Sequence, residues 1–267
     1  MTAESITSAP AKAGGVLVAT SLATLVVNAN TSAVSILLPS ISEDVGTSVD
    51  TLQWAVTGYS LVGAAVIVTS GSLGDVYGRK KTFLAGLFLF IGSCVLLALS
   101  DSGAAVIAGR AIQGAAGATL LACGLSLLSV ANTGQAQLRA VSIWGGASAV
   151  GAAAGPLIGG LLVDTTGWQG LFWLDAGVAV VCVFIALATV TESRDPNRPR
   201  SIDIGGTLLI AAVLVPLVLG LSEAGDWGWL SVAFLGCMAI SVVAGFAFVA
   251  VERRVTAPLL DLSLLRN

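Results

Sequence analysis

Residues 51–100 read TLQWAVTGYSLVGAAVIVTSGSLGDVYGRKKTFLAGLFLFIGSCVLLALS. No charge occurs between Asp50 and Asp75. Arg79, Lys80 and Lys81 follow, and the chain is then uncharged as far as Asp101. A helix rises about 1.5 Å per residue and needs about 20 apolar residues to cross a bilayer core. The stretch therefore predicts two membrane-spanning helices joined by a tight charged turn. The same spacing recurs from Lys12 to Glu43, Arg110 to Arg139, Arg139 to Asp164, Asp203 to Glu223 and Asp226 to Glu252, and Asp164 to Glu192 is broken only by Asp175. Eight spans are expected, near residues 14–38, 51–71, 81–99, 104–130, 138–162, 169–191, 204–222 and 228–251.

Composition agrees. Of 267 residues, 56% are hydrophobic and 10% charged, against roughly 25% charged in an ordinary soluble domain. The first span is too long for a cleaved leader, and seven more follow it. With no His, His-based catalysis and His metal ligation are excluded. No P-loop pattern appears, and the spans lack the paired carboxylates or clustered nucleophiles that intramembrane enzymes need. The net charge of -3, without basic clusters, argues against a nucleic-acid partner. Nothing calls for a cofactor. Cys94, Cys123, Cys182 and Cys237 lie within spans and read as small apolar packing residues.

Every Lys and Arg except Arg110 falls on one side of the predicted layout, in the tail before span 1, the even-to-odd loops and the tail after span 8. The opposite loops carry Glu43, Asp44, Asp50, Asp101, Asp164, Glu223 and Asp226. By the positive-inside rule both termini are expected in the cytoplasm.

Polar residues inside spans mark function by default. Arg110 lies in GRAIQGAAGATLL with Gln113 one turn on, Asp175 in WQGLFWLDAG, and Asn28 and Asn30 in span 1. Arg110 reads either as a functional group facing a cavity or as a side chain fixed to backbone carbonyls or a neighbouring acid. Span 5 reads GGASAVGAAAGPLIGG, placing Gly151, Gly155 and Gly159 in four-residue register around Pro156. Such spacing suits close helix approach, either static or in a pair that slides. The strings GSLGDVYG at 71–78 and GLLVDTTG at 160–167 both fit G-x-L-x-D-x-x-G. Each closes the second span of a group of three, as expected of inverted repeats.

GSLGDVYGRKK resembles the signature between helices 2 and 3 of the major facilitator superfamily. TLQWAVTGYSL, GRAIQGAAGATLL and GAAAGPLIGGLL are similar to the helix 2, 4 and 5 motifs of its drug:proton antiporter branch. RSIDIGGTLL and GDWGWL resemble the linker helices of fourteen-helix members. The resemblance implies an all-α integral membrane fold. It would comprise a cytoplasmic tail at 1–13, a six-helix N-terminal bundle of two inverted three-helix repeats at 14–191, and a basic cytoplasmic loop at 192–203. Two linker helices would occupy 204–251, with 252–267 leading toward a missing C-terminal bundle. It further implies a conformational latch between the two bundles at Gly71, Asp75, Gly78, Arg79 and Lys80, in which Asp75 faces a helix N-terminus across the bundle interface and Arg79 pairs with an acid nearby. Arg110 and Gln113 would serve proton coupling. Gly155, Pro156, Gly159 and Gly160, in register with Gly151, would pack helix 5 against the other bundle and limit leak.

Two departures stand out. Counting back from Pro39, the acid expected in helix 1 is Asn30, and helix 6 carries Asp175 where the family pattern has Asn. Asp175 is thus expected to be the protonatable group, tuned by Arg110, or else an acid at a rim reaching water. Asn30, Trp54, Tyr59, Trp144 and Phe172 are candidates for a substrate cavity. The implied function is proton-coupled efflux of small amphipathic compounds or drugs, conferring resistance, by an incomplete antiporter of the bacterial cytoplasmic membrane (cell inner membrane). Its partners would be the substrate, protons, lipid bilayer and the missing bundle. The alternative is a non-transporting membrane protein that assembles with or regulates a partner.

Overall fold

The computed structural model describes residues 13–195 and 203–255. Among them are eight helices: α1 (Ala13–Val45), α2 (Val49–Tyr77), α3 (Arg79–Ala98), α4 (Gly103–Ala131), α5 (Gly134–Thr166), α6 (Gln169–Thr189), α7 (Ile204–Trp227) and α8 (Val232–Glu252). Residues 1–12 of the predicted N-terminal tail, with Lys12, loop residues 196–202, with Arg198 and Arg200, and residues 256–267, with Arg266, lie outside the described residues.

Several helices outrun the apolar runs that announced them. At 33 residues α1 is about 50 Å long, well beyond the hydrocarbon thickness, and carries Glu43 and Asp44 on its final turns. Hydropathy marks the part inside hydrocarbon, but backbone hydrogen bonding continues until a cap ends it. Span 8 starts later than expected, at Val232, because Ser231 caps it by accepting from the Phe234 amide at 3.1 Å. The Asp203 carboxylate caps α7 through the Gly206 amide at 2.8 Å.

The one-residue link between α2 and α3 is Gly78, at φ 123° and ψ 127°. A residue with a Cβ rarely enters that region. The helix ends fall into two groups. Thr47 abuts Gly103, and the Trp168 indole donates to Asp44 at 2.9 Å, gathering the ends near Asp50. Residues after α6 lie against the α2–α3 turn at the opposite, Asp75 end.

Helices α1 to α6 pack as one body in a symmetric way. Exchange α1 with α4, α2 with α5 and α3 with α6, and each packed pair finds a counterpart: α1 on α5 matches α4 on α2, and α1 on α6 matches α4 on α3. The repeat read from two glycine–aspartate strings is thus present in the packing. Helices α7 and α8 pair with each other and touch the rest through α2. Core residues such as Val34, Leu37, Phe83 and Leu128 are fully buried, while Phe88, Phe184 and Phe246 face outward with many aliphatic neighbours. Apolar surface of that extent belongs in hydrocarbon, and all eight helices are long and apolar enough to span it. The protein is a multi-pass membrane protein.

Candidate functional site

Arg110 lies in the middle of the six-helix body with no exposed surface. What brings other helices within its reach is the small-residue face of α4. A Cβ at Gly114 would collide with the Tyr59 carbonyl, and one at Gly117 would fall 2.6 Å from the Tyr59 hydroxyl. The α2 backbone is consequently close enough for Arg110 Nε to donate to the Ala55 carbonyl at 3.3 Å. One turn along α2, the Tyr59 ring centroid is 4.2 Å from the guanidinium carbon.

The other side of the guanidinium meets α1. Arg110 Nη1 donates to Asn30 Oδ1 and to Gln113 Oε1. Asn30 Nδ2 donates in turn to Asp175 Oδ2 at 2.6 Å, and Gln113 Nε2 to Cys94 Sγ at 3.1 Å. Five helices, α1, α2, α3, α4 and α6, meet in this one network. Arg110, Gln113 and Asp175, read from sequence as a coupling set, are brought together. Asp175 is only 4% exposed, which overturns the rim reading.

Arg110 and Asp175 form no direct ion pair, because Asn30 stands between them. A guanidinium only donates and an ionised carboxylate only accepts. An amide satisfies both at once, accepting through its oxygen and donating through its nitrogen, which fixes its orientation. Asn30 was expected in a substrate cavity, yet it is fully buried and its amide is taken up by this bridge. Sequence reasoning counted it as a lost acid and missed its bridging capacity. The Ala55 carbonyl and Cys94 were missed as well, since a backbone acceptor and a lone thiol leave no pattern in sequence.

The second site is the α2–α3 turn. Asp75 Oδ1 accepts from Arg79 Nη2 at 2.7 Å and Nε at 2.9 Å. The Asp75 carbonyl accepts from the Asp195 amide at 3.0 Å, and the Arg79 amide donates to the Ser193 carbonyl at 2.8 Å. The next two donors of α3 go to Glu192, which accepts from the Lys80 and Lys81 amides at 3.1 and 3.2 Å. Lys80 Nζ donates to the Leu187 carbonyl at 3.2 Å. Among the described residues Glu192 is the acid at the N-terminus of α3, and Asp75 pairs with Arg79. Glu192 was missed, although an acid placed at the end of a span on the basic side was a usable signal. Gly71 lies on the same stretch of α2, near Ala122.

The glycine register of α5 turns inward. A Cβ at Gly151 would collide with the Leu25 carbonyl and one at Gly155 with the Ala29 carbonyl, and at Gly159 it would lie 3.2 Å from Ala33 Cβ. The partner is α1 of the same body. That corrects the expectation that this register faces another bundle, and the reason is that Leu25, Ala29 and Ala33 present a matching four-residue face. Gly160 has nothing within 4 Å, and Leu157 and Leu161 beside it are exposed.

The aromatic candidates do not gather around one cavity. Trp54, 46% exposed, borders a cavity of about 550 Å³ between α2 and α7 with Asp50, Gln53, Thr57, Glu223 and Asp226. Tyr59 lies against Arg110. Trp144 packs on the core from α5. Phe172 is fully buried, edge-on to Trp168 with ring centroids 5.9 Å apart. Among the described residues no group of three His, Cys, Asp or Glu is placed to hold a metal ion.

Comparison with known proteins yields relatives in one functional group. The chain is 35% identical over 251 residues to the tetracenomycin C resistance and export protein of Streptomyces glaucescens, covering 94% of this chain and 47% of that protein. It is 32% identical over 263 residues to the multidrug efflux pump LfrA of Mycolicibacterium smegmatis, covering 98% of this chain and 52% of that one. The chain spans about half the length of the relatives it matches. Among solved structures, a peptide transporter POT (E310Q mutant) in complex with sulfate superposes with a TM-score of 0.64 at 17% identity, covering 90% of this chain and 52% of that one. The human organic anion transporter MFSD10 gives 0.59 at 17% identity, covering 80% of this chain and 56% of that one. These two share its fold. With that superfamily's sequence profile matching residues 20–264, the chain belongs to the Major Facilitator Superfamily.

Proposed function

We propose that the chain forms the N-terminal six-helix bundle (14–191) and the two linker helices (204–251) of a proton-coupled exporter of small amphipathic compounds. A second helical bundle completes the exporter. The observation that carries the reading is the buried Asp175–Asn30–Arg110 bridge. An acid in low-dielectric surroundings, one amide away from a fixed cation, is suited to take up and give back a proton as helices shift. Energy then comes from the proton gradient. The names of the relatives, which speak of export, resistance and efflux, support the substrate class.

In the same reading, the turn with Gly71, Asp75, Gly78, Arg79 and Lys80 is the conformational latch, joined by Glu192. The basic loops face the cytoplasm of a bacterial cell. The outward side of α5, with Pro156, Gly160 and Leu157, meets the second bundle.

The test is drug-driven proton movement in vesicles containing the complete transporter. Asp175→Asn is expected to abolish it while membrane yield stays near that of the parent. Intact coupling in Asp175→Asn would remove the proton assignment.

A further inference from the structure

We propose that Tyr59 is a positioning residue for proton coupling, its ring face holding the Arg110 guanidinium where a hydrogen-bond acceptor would otherwise be needed. The proposal rests on the assignment of Arg110 and Asp175 to proton coupling. A guanidinium has five donor hydrogens, and burial makes each unmet one costly. Nε is met by the Ala55 carbonyl, and Nη1 by Asn30 and Gln113. Nη2 is buried and has no hydrogen-bond partner. The Tyr59 ring, 4.2 Å from the guanidinium carbon, is well inside the roughly 6 Å range over which a ring face attracts a cation. It covers the group with the one surface that stabilises positive charge without using a donor.

The ring is held where it is. Tyr59 has its backbone against Gly114 and its hydroxyl close to Gly117 and hydrogen-bonded to Thr31 of α1, so the closeness of α2 to α4 sets the ring's position and α1 steadies its far edge. Ala55 and Tyr59 are four residues apart and share a face of α2. Both supports from that side therefore move as one with α2.

The remaining supports come from α1 and α4, with the Asp175 charge behind Asn30. The charged or titratable groups near Arg110 are Tyr59 from α2, Cys94 from α3 and Asp175 from α6, and α1 contributes the neutral Asn30. When Asp175 takes up a proton, the pull from the α1 and α6 side weakens while the ring and carbonyl on α2 still hold. The guanidinium is thereby the point at which the proton load of α6 reaches α2. Helix α2 extends from the Trp54 mouth at one end to the Asp75 turn at the other, so a shift of α2 reaches both.

The experiment compares Tyr59→Phe with Tyr59→Leu in the complete transporter in vesicles, recording drug-driven proton movement across pH. Phenylalanine keeps the ring face. Tyr59→Phe should retain the parent's rate and pH profile. Tyr59→Leu should lose roughly tenfold in coupled proton movement, within the range for a desolvated cation–ring contact, and should move the pH profile. Equal behaviour of the Leu variant and the parent overturns the proposal, as does a Phe variant that fails like Leu. Arg110→Ala separates the two claims. If it abolishes coupling while Tyr59→Leu is silent, only the role of Tyr59 falls. If Arg110→Ala still couples protons, the assignment beneath it falls. Should Tyr59→Leu not reach the membrane, isotope-labelled arginine in nanodiscs reports the stack directly. Upfield guanidinium signals assigned by Arg110→Lys should be present in the parent and the Phe variant, and their absence from the parent overturns the proposal.

Discussion

Asn30 is useful because it has no charge of its own. Its amide accepts from Arg110 and donates to Asp175, so cation and acid stay coupled without collapsing into a salt bridge. A direct pair would hold both groups in one geometry, and a buried pair is hard to break. Hydrogen-bond accounting alone would let the two positions trade places: in Asn30→Asp combined with Asp175→Asn, Arg110 would donate to a carboxylate on α1, and the α6 amide would donate to that same carboxylate. That arrangement is the direct buried pair, so the double variant is expected not to recover the drug-driven proton movement that Asp175→Asn is expected to lose, measured in vesicles of the complete transporter. Recovery at normal membrane yield would show that no uncharged spacer is needed. Sequence made Arg110, Gln113 and Asp175 legible, because polar residues stand out in apolar runs. The route between them was not legible. It depends on Asn30 and Tyr59, each of which has an ordinary packing reading until the helices are brought together.

At the scale of an element, the α2–α3 turn and the α5 face each make a prediction. Gly78 occupies a backbone region closed to L side chains, and a Cβ there would fall 2.6 Å from Glu192 Oε1. Gly78→Ala is expected to cost about 1–3 kcal/mol and to lower the melting temperature of the purified protein. Glu192→Gln, which keeps a carbonyl acceptor but removes the charge at the start of α3, should cost about 0.3–1 kcal/mol. A Gly78→Ala protein as stable as the parent would show that the turn can relax. On α5 the contrast is sharper. Gly155→Leu should sharply reduce folded yield, because the side chain would meet the α1 backbone at Ala29. Gly160→Leu should be tolerated in this chain, since that position is open. Detergent-solubilised yield by size-exclusion chromatography distinguishes them, and equal yields would contradict the packing. The register of small residues was plain in sequence, yet its partner was not. Spacing identifies the face of a helix but carries no information on which neighbour covers it.

The whole molecule is organised by alternation. Successive helices cross between an acidic end and a basic end, and the packing symmetry that exchanges α1–α3 with α4–α6 puts the two related Asp residues, Asp75 and Asp164, at opposite ends. The number of spans was legible because each crossing needs an uncharged run of fixed length. The place of α7 against α2 and of α8 against α7 was not, since their apolar faces look alike from every side. Orientation makes the last prediction. Arg79, Lys80 and Lys81 flank one short turn, while Asp50, Glu223 and Asp226 border the cavity at the other end. Basic residues in short loops are retained on the cytoplasmic side, so the acidic mouth should face outward. Cys94, Cys123 and Cys182 are buried, and replacing the partly exposed Cys237 with Ser removes the remaining source of background labelling. Cysteines at Asp50 and Asp226, both exposed, should react in intact cells with a membrane-impermeant maleimide. A cysteine at exposed Lys81 should react only after the membrane is opened. If Lys81→Cys labelled first and Asp50→Cys needed permeabilisation, the acidic cavity would face the cytoplasm and could not be the exit of an outward pump.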